Sequence, residues 1–244
     1  MSTIMEKMDL RPADSRFHTR TGWLDSRHSF SFANHYDPDN THHGILVVSN
    51  DDVIRPGTGF STHPHRDMEI VTWVLEGELE HRDSQGHRGV IHRGLAQRMS
   101  AGTGIRHSEM NPSASHDARF VQMWVLPDTE GIDPGYEQLD ISRELASGGL
   151  IPLASGGPGV SAIRLRQKDA TLWVARLERG RSVFSPEAAY VHIFVAEGSL
   201  DLEGSGPMKQ GDALRLTAAG SRRMTGGPEG AEALIWEMHR GGTF

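Results

Sequence analysis

Short β-rich runs separated by glycine and proline limit most strongly the folds that this chain can adopt. The 244 residues include 28 glycines and 12 prolines, and the apolar runs between them are only a few residues long. Such runs, with turn signals on both sides, are typical of strands in a sandwich or a barrel. The runs cover residues 44–48, 69–75, 78–81, 119–126, 162–166, 171–177, 190–195, 213–216 and 233–238. We therefore expect an all-β fold with little helix.

Two turns and one helix complete the local predictions. Glu76-Gly77 and the stretch 83–86 carry the residue types of hairpin turns. The one clear helix candidate is short, covers residues 141–146 and is ended by Gly148-Gly149.

The chain divides at a polar stretch rich in helix and strand breakers, residues 127–135, which predicts a crossing between domains. Its length fits one large β domain or two domains of about 120 residues each. The phrase Val-Leu-Glu-Gly-Glu-Leu at 74–79 is similar to Val-Ala-Glu-Gly-Ser-Leu at 195–200. This repeat favours two copies of one β-barrel domain, at residues 1–135 and 136–244.

Composition excludes several classes of function. A net charge of −7 argues against direct nucleic-acid binding, which needs a basic surface. The absence of cysteine excludes disulfides, thiolate metal sites and cysteine nucleophiles, and it fits a reducing cytosol. The segment Met1–Asp9 lacks the apolar core of a signal peptide, and the apolar run 70–75 is too short to span a membrane. We expect a cytoplasmic protein that is soluble and has no membrane contact.

Two pairs of potential metal ligands stand out, His63 with His65 and His107 with Glu109. Each pair has the i, i+2 spacing, which places both side chains on one face of a β-strand. Two such strands facing each other would bring three imidazoles and one carboxylate to one point. The glycines near the pairs fit tight turns that let strands approach closely; they are Gly57, Gly59, Gly102 and Gly104.

The donor set indicates the kind of metal. Imidazole and carboxylate without sulfur suit Fe, Mn, Co, Ni, Cu or Zn, and four protein ligands leave up to two positions open on an octahedral ion. We expect one divalent first-row metal, with Fe(II) favoured and Ni, Co, Mn, Cu or Zn as alternatives. Glu69 lies four residues after His65 and competes with Glu109 for the carboxylate role. We favour Glu109 and expect Glu69 to support the site or the structure.

The alternative is that these histidines are ordinary surface or core residues. One His-x-His alone would leave that alternative open, whereas two spaced pairs argue against it. For the other histidines we expect ordinary surface or core positions. We expect His81 to line a strand face without binding metal and His192 to be a core residue. The histidines predicted to be exposed are His42, His43, His87, His92 and His116.

The motifs resemble those of the cupin superfamily, with motif one at residues 57–77 and motif two at 94–111. Within it, the chain is similar to the pirin family over about residues 15–127. The phrases that carry this are Arg-His-Ser-Phe-Ser-Phe at 27–32, Tyr-Asp-Pro at 36–38 and the segments 59–69, 74–84 and 99–109. Ser100 stands where cupins usually have proline, and His107 comes two residues late after Gly102. Both departures are typical of pirin-like proteins.

The resemblance implies a bicupin, that is, two consecutive β-barrel (jelly-roll) domains. It also implies that the metal ligands are His63, His65, His107 and Glu109, the same set that the spacing predicts. The second half resembles the second domain of bacterial pirin-like proteins less specifically. Because it contains no His-x-His, we expect it to be metal-free and structural.

The resemblance further implies a quercetin 2,3-dioxygenase activity that uses O2, releases CO and acts on a flavonol-like small aromatic substrate. Glu109 would then be the catalytic base for the substrate hydroxyl. Phe60, Met68 and Trp73 are candidate pocket walls, although core packing explains them equally well. One alternative is a redox- or metal-responsive regulatory protein whose partner is a transcription factor or an enzyme. Another is different cupin chemistry, such as isomerisation or sugar binding.

Overall fold

The computed structural model describes residues 5–242, so the ends of both predicted domains, and residues 1–4 of the N-terminal segment, lie outside the described residues. Within this range the fold is almost entirely β, with one α-helix, α1 (Ser142–Ala146), and one 3₁₀ turn (Ala13–Ser15). No helix in the described part is long and apolar enough to cross a membrane.

Twelve strands precede the α-helix. They are β1 (Lys7–Arg11), β2 (Phe17–Arg20), β3 (Leu24–His28), β4 (Leu46–Ile54), β5 (Gly59–His65), β6 (Glu69–Glu76), β7 (Glu78–Asp83), β8 (Arg88–His92), β9 (Leu95–Ser100), β10 (Ile105–Met110), β11 (Ala118–Val125) and β12 (Gly135–Asp140). Eight strands follow it. They are β13 (Gly149–Ser155), β14 (Ile163–Arg164), β15 (Ala170–Leu177), β16 (Ser182–Phe184), β17 (Tyr190–Leu202), β18 (Gly206–Lys209), β19 (Ala213–Thr217) and β20 (Arg223–Met238).

Two sheets form what we call the first barrel. One has seven strands in the order β12-β9-β6-β11-β4-β3-β2, and the other has four in the order β5-β10-β7-β8. Strand β6 shows why its sequence is continuously apolar. Ile70 and Val74 join apolar clusters inside the barrel, whereas Val71 and Trp73 join the cluster shared with the rest of the chain. A strand buried on both faces needs apolar residues at successive positions.

A nine-stranded sheet forms the second barrel. Its main path is β1-β19-β17-β20-β15-β13-β14, and the far ends of the long strands β17 and β20 pair with β18 and β16. A continuous apolar cluster fills its interior. The predicted fold class, an all-β chain with two β-barrels and little helix, is confirmed.

The predicted turns had different outcomes. The turn at 83–86 is a hairpin, since β7 pairs with β8 across it. The prediction of a hairpin at Glu76-Gly77 is wrong, because β6 and β7 belong to different sheets. Gly77, at φ +72°, instead turns the chain from one sheet to the other. The predicted helix is present as α1.

The sheets cross the predicted boundary at residue 135. Strand β12 pairs with β9 and therefore belongs to the first barrel, while β1 pairs with β19 of the second barrel. One apolar cluster contains buried residues of both barrels, among them Trp73 and Trp236. The indole N–H of Trp73 also donates a hydrogen bond to Glu232 at 2.8 Å. The division into domains 1–135 and 136–244 stays a prediction.

Candidate metal centre and its cavity

Strands β5 and β10 bring three of the predicted ligands together. They pair antiparallel, with His107 opposite His63 and Ile105 opposite His65. The ring centroids of His63, His65 and His107 are 4.5–4.9 Å apart, so the three imidazoles form a nearly equilateral triangle. One nitrogen from each ring lies within 4.8 Å of the others. The i, i+2 spacing thus places the histidines as expected.

These imidazoles keep free lone pairs. The Nδ1 of His63 lies 2.8 Å from the carbonyl oxygen of Ser61; an N–H at Nδ1 would donate to it and leave Nε2 unprotonated. The Nε2 atoms of His65 and His107 are buried and have no hydrogen-bond partner among residues 5–242. Burial, reinforced by the neighbouring histidines, lowers the pKa of His65 to about 4 and that of His107 to about 3. Neutral imidazoles with orphaned nitrogens fit a first-row metal ion.

Close approach of the two strands depends on Gly59, which precedes the first histidine pair on β5. A Cβ atom at Gly59 would lie 2.2 Å from the carbonyl oxygen of Glu109. The register also shifts between His107 and Glu109, so that Glu109 lies opposite Phe60. This irregularity lets β5 and β10 direct their side chains toward one end of the barrel.

Glu109 is buried beside the triangle and belongs to a second, overlapping group of potential ligands. This group contains His81, His107 and Glu109, and its ligand atoms also lie within 4.8 Å of one another. The side-chain amide of Gln122 donates to both carboxylate oxygens of Glu109, at 2.9 and 2.7 Å. The two groups share His107. The four-residue set of His63, His65, His107 and Glu109 remains a prediction.

His81 is more closely connected to the site than its sequence context indicates. It is fully buried, and its Nδ1 lies 3.4 Å from the Nδ1 of His107. Its Nε2 lies 3.2 Å from Asp83, which places a carboxylate behind two successive imidazoles. Such support orients a metal-binding histidine and fixes its tautomer. The i, i+2 spacing of His81 and Asp83 on β7 is the signal that could have found this pair.

Glu69 lies outside both ligand groups of the described residues. Its carboxylate accepts a hydrogen bond from the backbone N–H of Arg166 at 3.0 Å, and Arg98 lies at 4.0 Å. Burial raises the pKa of Glu69. Its contacts therefore connect β6 of the first barrel with the chain that follows β14, which is a structural role.

A cavity of about 320 Å³ opens beside the triangle. His63, His65 and Glu109 line it, together with the aromatic rings of Phe60 and Trp124. The ring of Trp124 packs edge-on against His65, with 4.8 Å between their centroids. The other lining residues are Thr19, Leu24, Ser26, His28, Phe32, Ala33, Asn50, Asp52 and Gln122.

The candidate pocket walls had different outcomes. Phe60 lines the cavity, but Trp73 is fully buried on the opposite face of its sheet. Met68 packs against the apolar cluster of Ile70 and is not among the lining residues. The aromatic wall that sequence reasoning missed is Trp124, on strand β11. A larger depression of about 480 Å³ lies where Arg93, Arg176 and Glu197 meet, away from these ligand groups.

Two further histidines tested the sequence predictions. His192 is buried, as expected of a core histidine, but its Nε2 has no hydrogen-bond partner among residues 5–242, so the expectation of a satisfied core histidine is only partly confirmed. His43 was expected to be exposed, and that prediction is wrong. It is 8% exposed, lies 3.1 Å from the carbonyl oxygen of Leu216, and its pKa is lowered to about 4 mainly by burial.

Comparison with known proteins agrees with this geometry. The Pirin family model matches residues 10–125. A protein of Mycobacterium bovis, named "Putative quercetin 2,3-dioxygenase Mb0187c", is 57% identical over 233 residues, which cover 95% of each chain. The chain belongs to the pirin family.

Two matches from Escherichia coli, one of sequence and one of structure, extend the pirin comparison. One, named quercetin 2,3-dioxygenase, is 56% identical over 129 residues, or 53% of this chain and 56% of that protein. The crystal structure of the bacterial pirin YhhW in complex with nickel(II) has a TM-score of 0.88 and 36% identity. The match covers 96% of this chain and 100% of the YhhW chain. The expected cupin-type architecture therefore extends over both barrels of this pirin.

Proposed function

We propose that this pirin is a metal-dependent dioxygenase that opens the heterocyclic ring of a flavonol such as quercetin with O2 and releases CO. The observation that carries the proposal is the triangle of imidazoles at the wall of a largely apolar cavity. The names of its relatives support the same reaction. The cavity volume of about 320 Å³ falls in the range of small-molecule sites.

His63, His65, His107 and Glu109 would hold one divalent first-row ion, with Fe(II) favoured. Such an ion would supply Lewis acidity toward the substrate hydroxyl and a path for electrons to O2. The protein contributes neutral nitrogen donors, since burial lowers the pKa of both His65 and His107. His81 and Asp83 support His107 from behind.

Glu109 is the group that would accept the proton of the flavonol hydroxyl. It faces the cavity and is 2% exposed, so water competes little for its oxygens. Gln122 holds both of these oxygens, and the indole N–H of Trp124 donates to Oε1 of Gln122 at 3.1 Å. This chain of contacts fixes the direction of the Gln122 amide, and therefore the carboxylate that it holds. A base held in this way needs little reorganisation to receive a proton.

The aromatic walls would orient the substrate and exclude water. Phe32, Phe60 and Trp124 line the cavity, and Phe32 meets Trp124 edge-on with 5.7 Å between centroids. Flat faces of this kind favour a planar ring system. They would also keep bulk water from the reacting oxygen of the flavonol.

The first test joins metal analysis of the purified protein to oxygen uptake with quercetin. We expect about one equivalent of a first-row metal, and we expect uptake to be lost on chelation and in His63→Ala. A Glu109→Gln variant that keeps its metal should lose turnover if Glu109 is the base; unchanged turnover would contradict that role. Bound metal without uptake would favour a metal-responsive regulatory protein instead. No metal after reconstitution would refute the ligand set.

A further inference from the structure

The cavity has a second polar wall, on strands β3 and β4, that the proposed chemistry does not use. Ser26, His28, Asn50 and Asp52 line it, and each is buried, with 2–4% of its surface exposed. Burying polar groups is unfavourable unless they are hydrogen-bonded. Here the burial is offset by hydrogen bonds within the wall, from Ser26 to Asp52 and between Ser26 and His28. A hydrogen-bonded polar network that still lines a cavity is preorganised, and it points to a ligand.

Strand register explains how these residues come together. Gln122 of β11 lies opposite Asn50 of β4, which in turn lies opposite His28 of β3. In the neighbouring row Asp52 lies opposite Ser26, which lies opposite Thr19 of β2. Adjacent strands are separated by about 4.8 Å, so His28 lies roughly 10 Å from Gln122. The polar wall therefore begins beside the residue that holds Glu109 and extends farther than one benzene ring.

The wall offers both donors and acceptors. Ser26 donates a hydrogen bond to Oδ1 of Asp52. Burial, which outweighs the hydrogen bond from Ser26, raises the pKa of Asp52 to about 7, so its carboxyl group can also donate. The Nε2 of His28 lies 2.9 Å from the hydroxyl of Thr19, and burial lowers the pKa of His28.

A wall that offers both hydrogen-bond donors and acceptors suits neutral hydroxyl groups better than an anion or a cation. The apolar side chains of Leu24, Phe60 and Trp124 also line the cavity. The cavity therefore combines apolar and aromatic surfaces with a polar wall that runs from Gln122 to His28. A flat aromatic ligand with an oxygen at the metal ligands and hydroxyl groups at the far end of the polar wall would match this lining.

We propose that Ser26, His28 and Asp52 form a specificity subsite that binds hydroxyl groups on the substrate ring remote from the metal. This inference rests on the proposed flavonol reaction and names the substrate class within it. The protein would select polyhydroxylated flavonols over flavonols that carry only the hydroxyl next to the carbonyl group. Hydrogen bonds to ligand hydroxyls discriminate strongly when their loss leaves buried polar groups unpaired.

The test compares the binding of quercetin and 3-hydroxyflavone to metal-loaded protein by calorimetry without oxygen. Both ligands carry the reacting hydroxyl, but only quercetin carries hydroxyls on the remote ring. We expect the protein to bind quercetin at least tenfold more tightly. In Ser26→Ala/Asp52→Leu, which removes both members of the buried hydrogen bond, this preference should fall to less than twofold. Asp52→Asn, which keeps a donor and an acceptor, should retain most of it.

The matched control is Asp25→Leu, since Asp25 lies beside Ser26 on β3 and pairs with Arg20 on the surface. It should keep the full preference for quercetin. If the double variant does not fold, the milder Ser26→Ala variant can replace it. In that variant the ratio of the affinities for quercetin and 3-hydroxyflavone should fall about threefold. Equal affinity of the unmodified protein for the two ligands, or an undiminished preference in the folded variants, would overturn the subsite.

Binding without oxygen separates this inference from the proposed reaction. A preference for quercetin that depends on Ser26 and Asp52, without oxygen uptake in air, would support the subsite while the dioxygenase proposal fails. Oxygen uptake with both flavonols at equal affinity would support the reaction and overturn the subsite.

Discussion

The two barrels share a strand pattern but fill their interiors differently. Gly77 and Gly198 occupy equivalent places in the repeated phrase, with φ of +72° and +70°. A Cβ atom would lie 2.6 Å from the carbonyl oxygen of Asp117 at the first and 2.2 Å from that of Gly230 at the second. Both glycines are therefore needed for a sharp bend against a neighbouring strand.

Inside, the second barrel contains one continuous cluster of fifteen buried apolar residues. The first barrel contains two smaller clusters of seven and four, together with buried polar residues that line the cavity. Apolar filling stabilises a barrel, whereas polar filling creates a site at a cost in core packing. The comparison indicates that one barrel provides the chemistry and the other much of the stability.

The largest expected effect compares one buried histidine from each barrel. His107→Leu should lower metal affinity at least about 100-fold, because even changes to residues that only support a ligand cost 10–100-fold. His192→Leu should leave metal content unchanged, since His192 is buried away from both ligand groups. Metal titration of the two variants measures this. Equal metal loss in both would contradict the division of roles.

Matched isoleucines test the difference in core packing. Ile193→Ala in the continuous cluster should lower the free energy of unfolding by about 4 kcal/mol, because it leaves a cavity in a closely packed core. Ile105→Ala, in the four-residue cluster of the first barrel, should cost about 2 kcal/mol. Urea denaturation of metal-free protein measures both. A larger cost at Ile105 would reverse the proposed distribution of stability.

The polar filling should also make stability depend on pH. Burial raises the pKa of Asp52 from 3.8 to about 7, with Asp51 and Glu109 adding to the effect and Ser26 and Arg16 opposing it. Between these values the folded state binds more protons than the unfolded state, so stability falls as pH rises.

For metal-free protein we expect a decrease on the order of 3 kcal/mol between pH 5 and pH 8 from this group. Asp52→Asn should remove that component, as measured by urea denaturation at the two pH values. An identical pH dependence in the variant would show that Asp52 is ionised throughout.

The smallest effect tests the repeat itself. Gly77→Ala and Gly198→Ala should each lower the free energy of unfolding by about 2 kcal/mol through backbone strain and the close carbonyl oxygen. Gly86→Ala and Gly180→Ala are controls, since their φ angles are also positive but nothing lies within 4 Å of the added Cβ. These should cost about 1 kcal/mol. Thermal unfolding measures these costs. If only one of Gly77→Ala and Gly198→Ala destabilises the protein more than its control, the two bends are not structurally equivalent.

Local pattern and spacing predicted much of this molecule. The β-rich runs became strands, and the two i, i+2 pairs correctly placed three histidines. The hairpin at Glu76-Gly77 was wrong because a turn signal does not say which sheet the next strand joins. The choice between pocket wall and core stayed open for Trp73 for a related reason, since β6 is buried on both faces and its sequence does not distinguish them.

Cross-strand relations were beyond local reasoning. His81 reaches His107 from a neighbouring strand, and the wall of Ser26, His28 and Asp52 forms only through the register of β3 with β4. In sequence, β3 reads Leu-Asp-Ser-Arg-His, which has the polarity of a solvent-exposed edge. Polar residues that face a cavity and polar residues that face water give the same pattern.

The pairing of β1 with β19 has a consequence for how the protein is made. Residues 7–11 leave the ribosome early, but their partners at 213–217 follow about two hundred residues later. Until then the second barrel lacks the pairing of its edge strand. We expect the last step of folding to occur after nearly the whole chain has been synthesised. Contacts between such distant segments also make folding slow, which makes the nascent chain a natural client for chaperones.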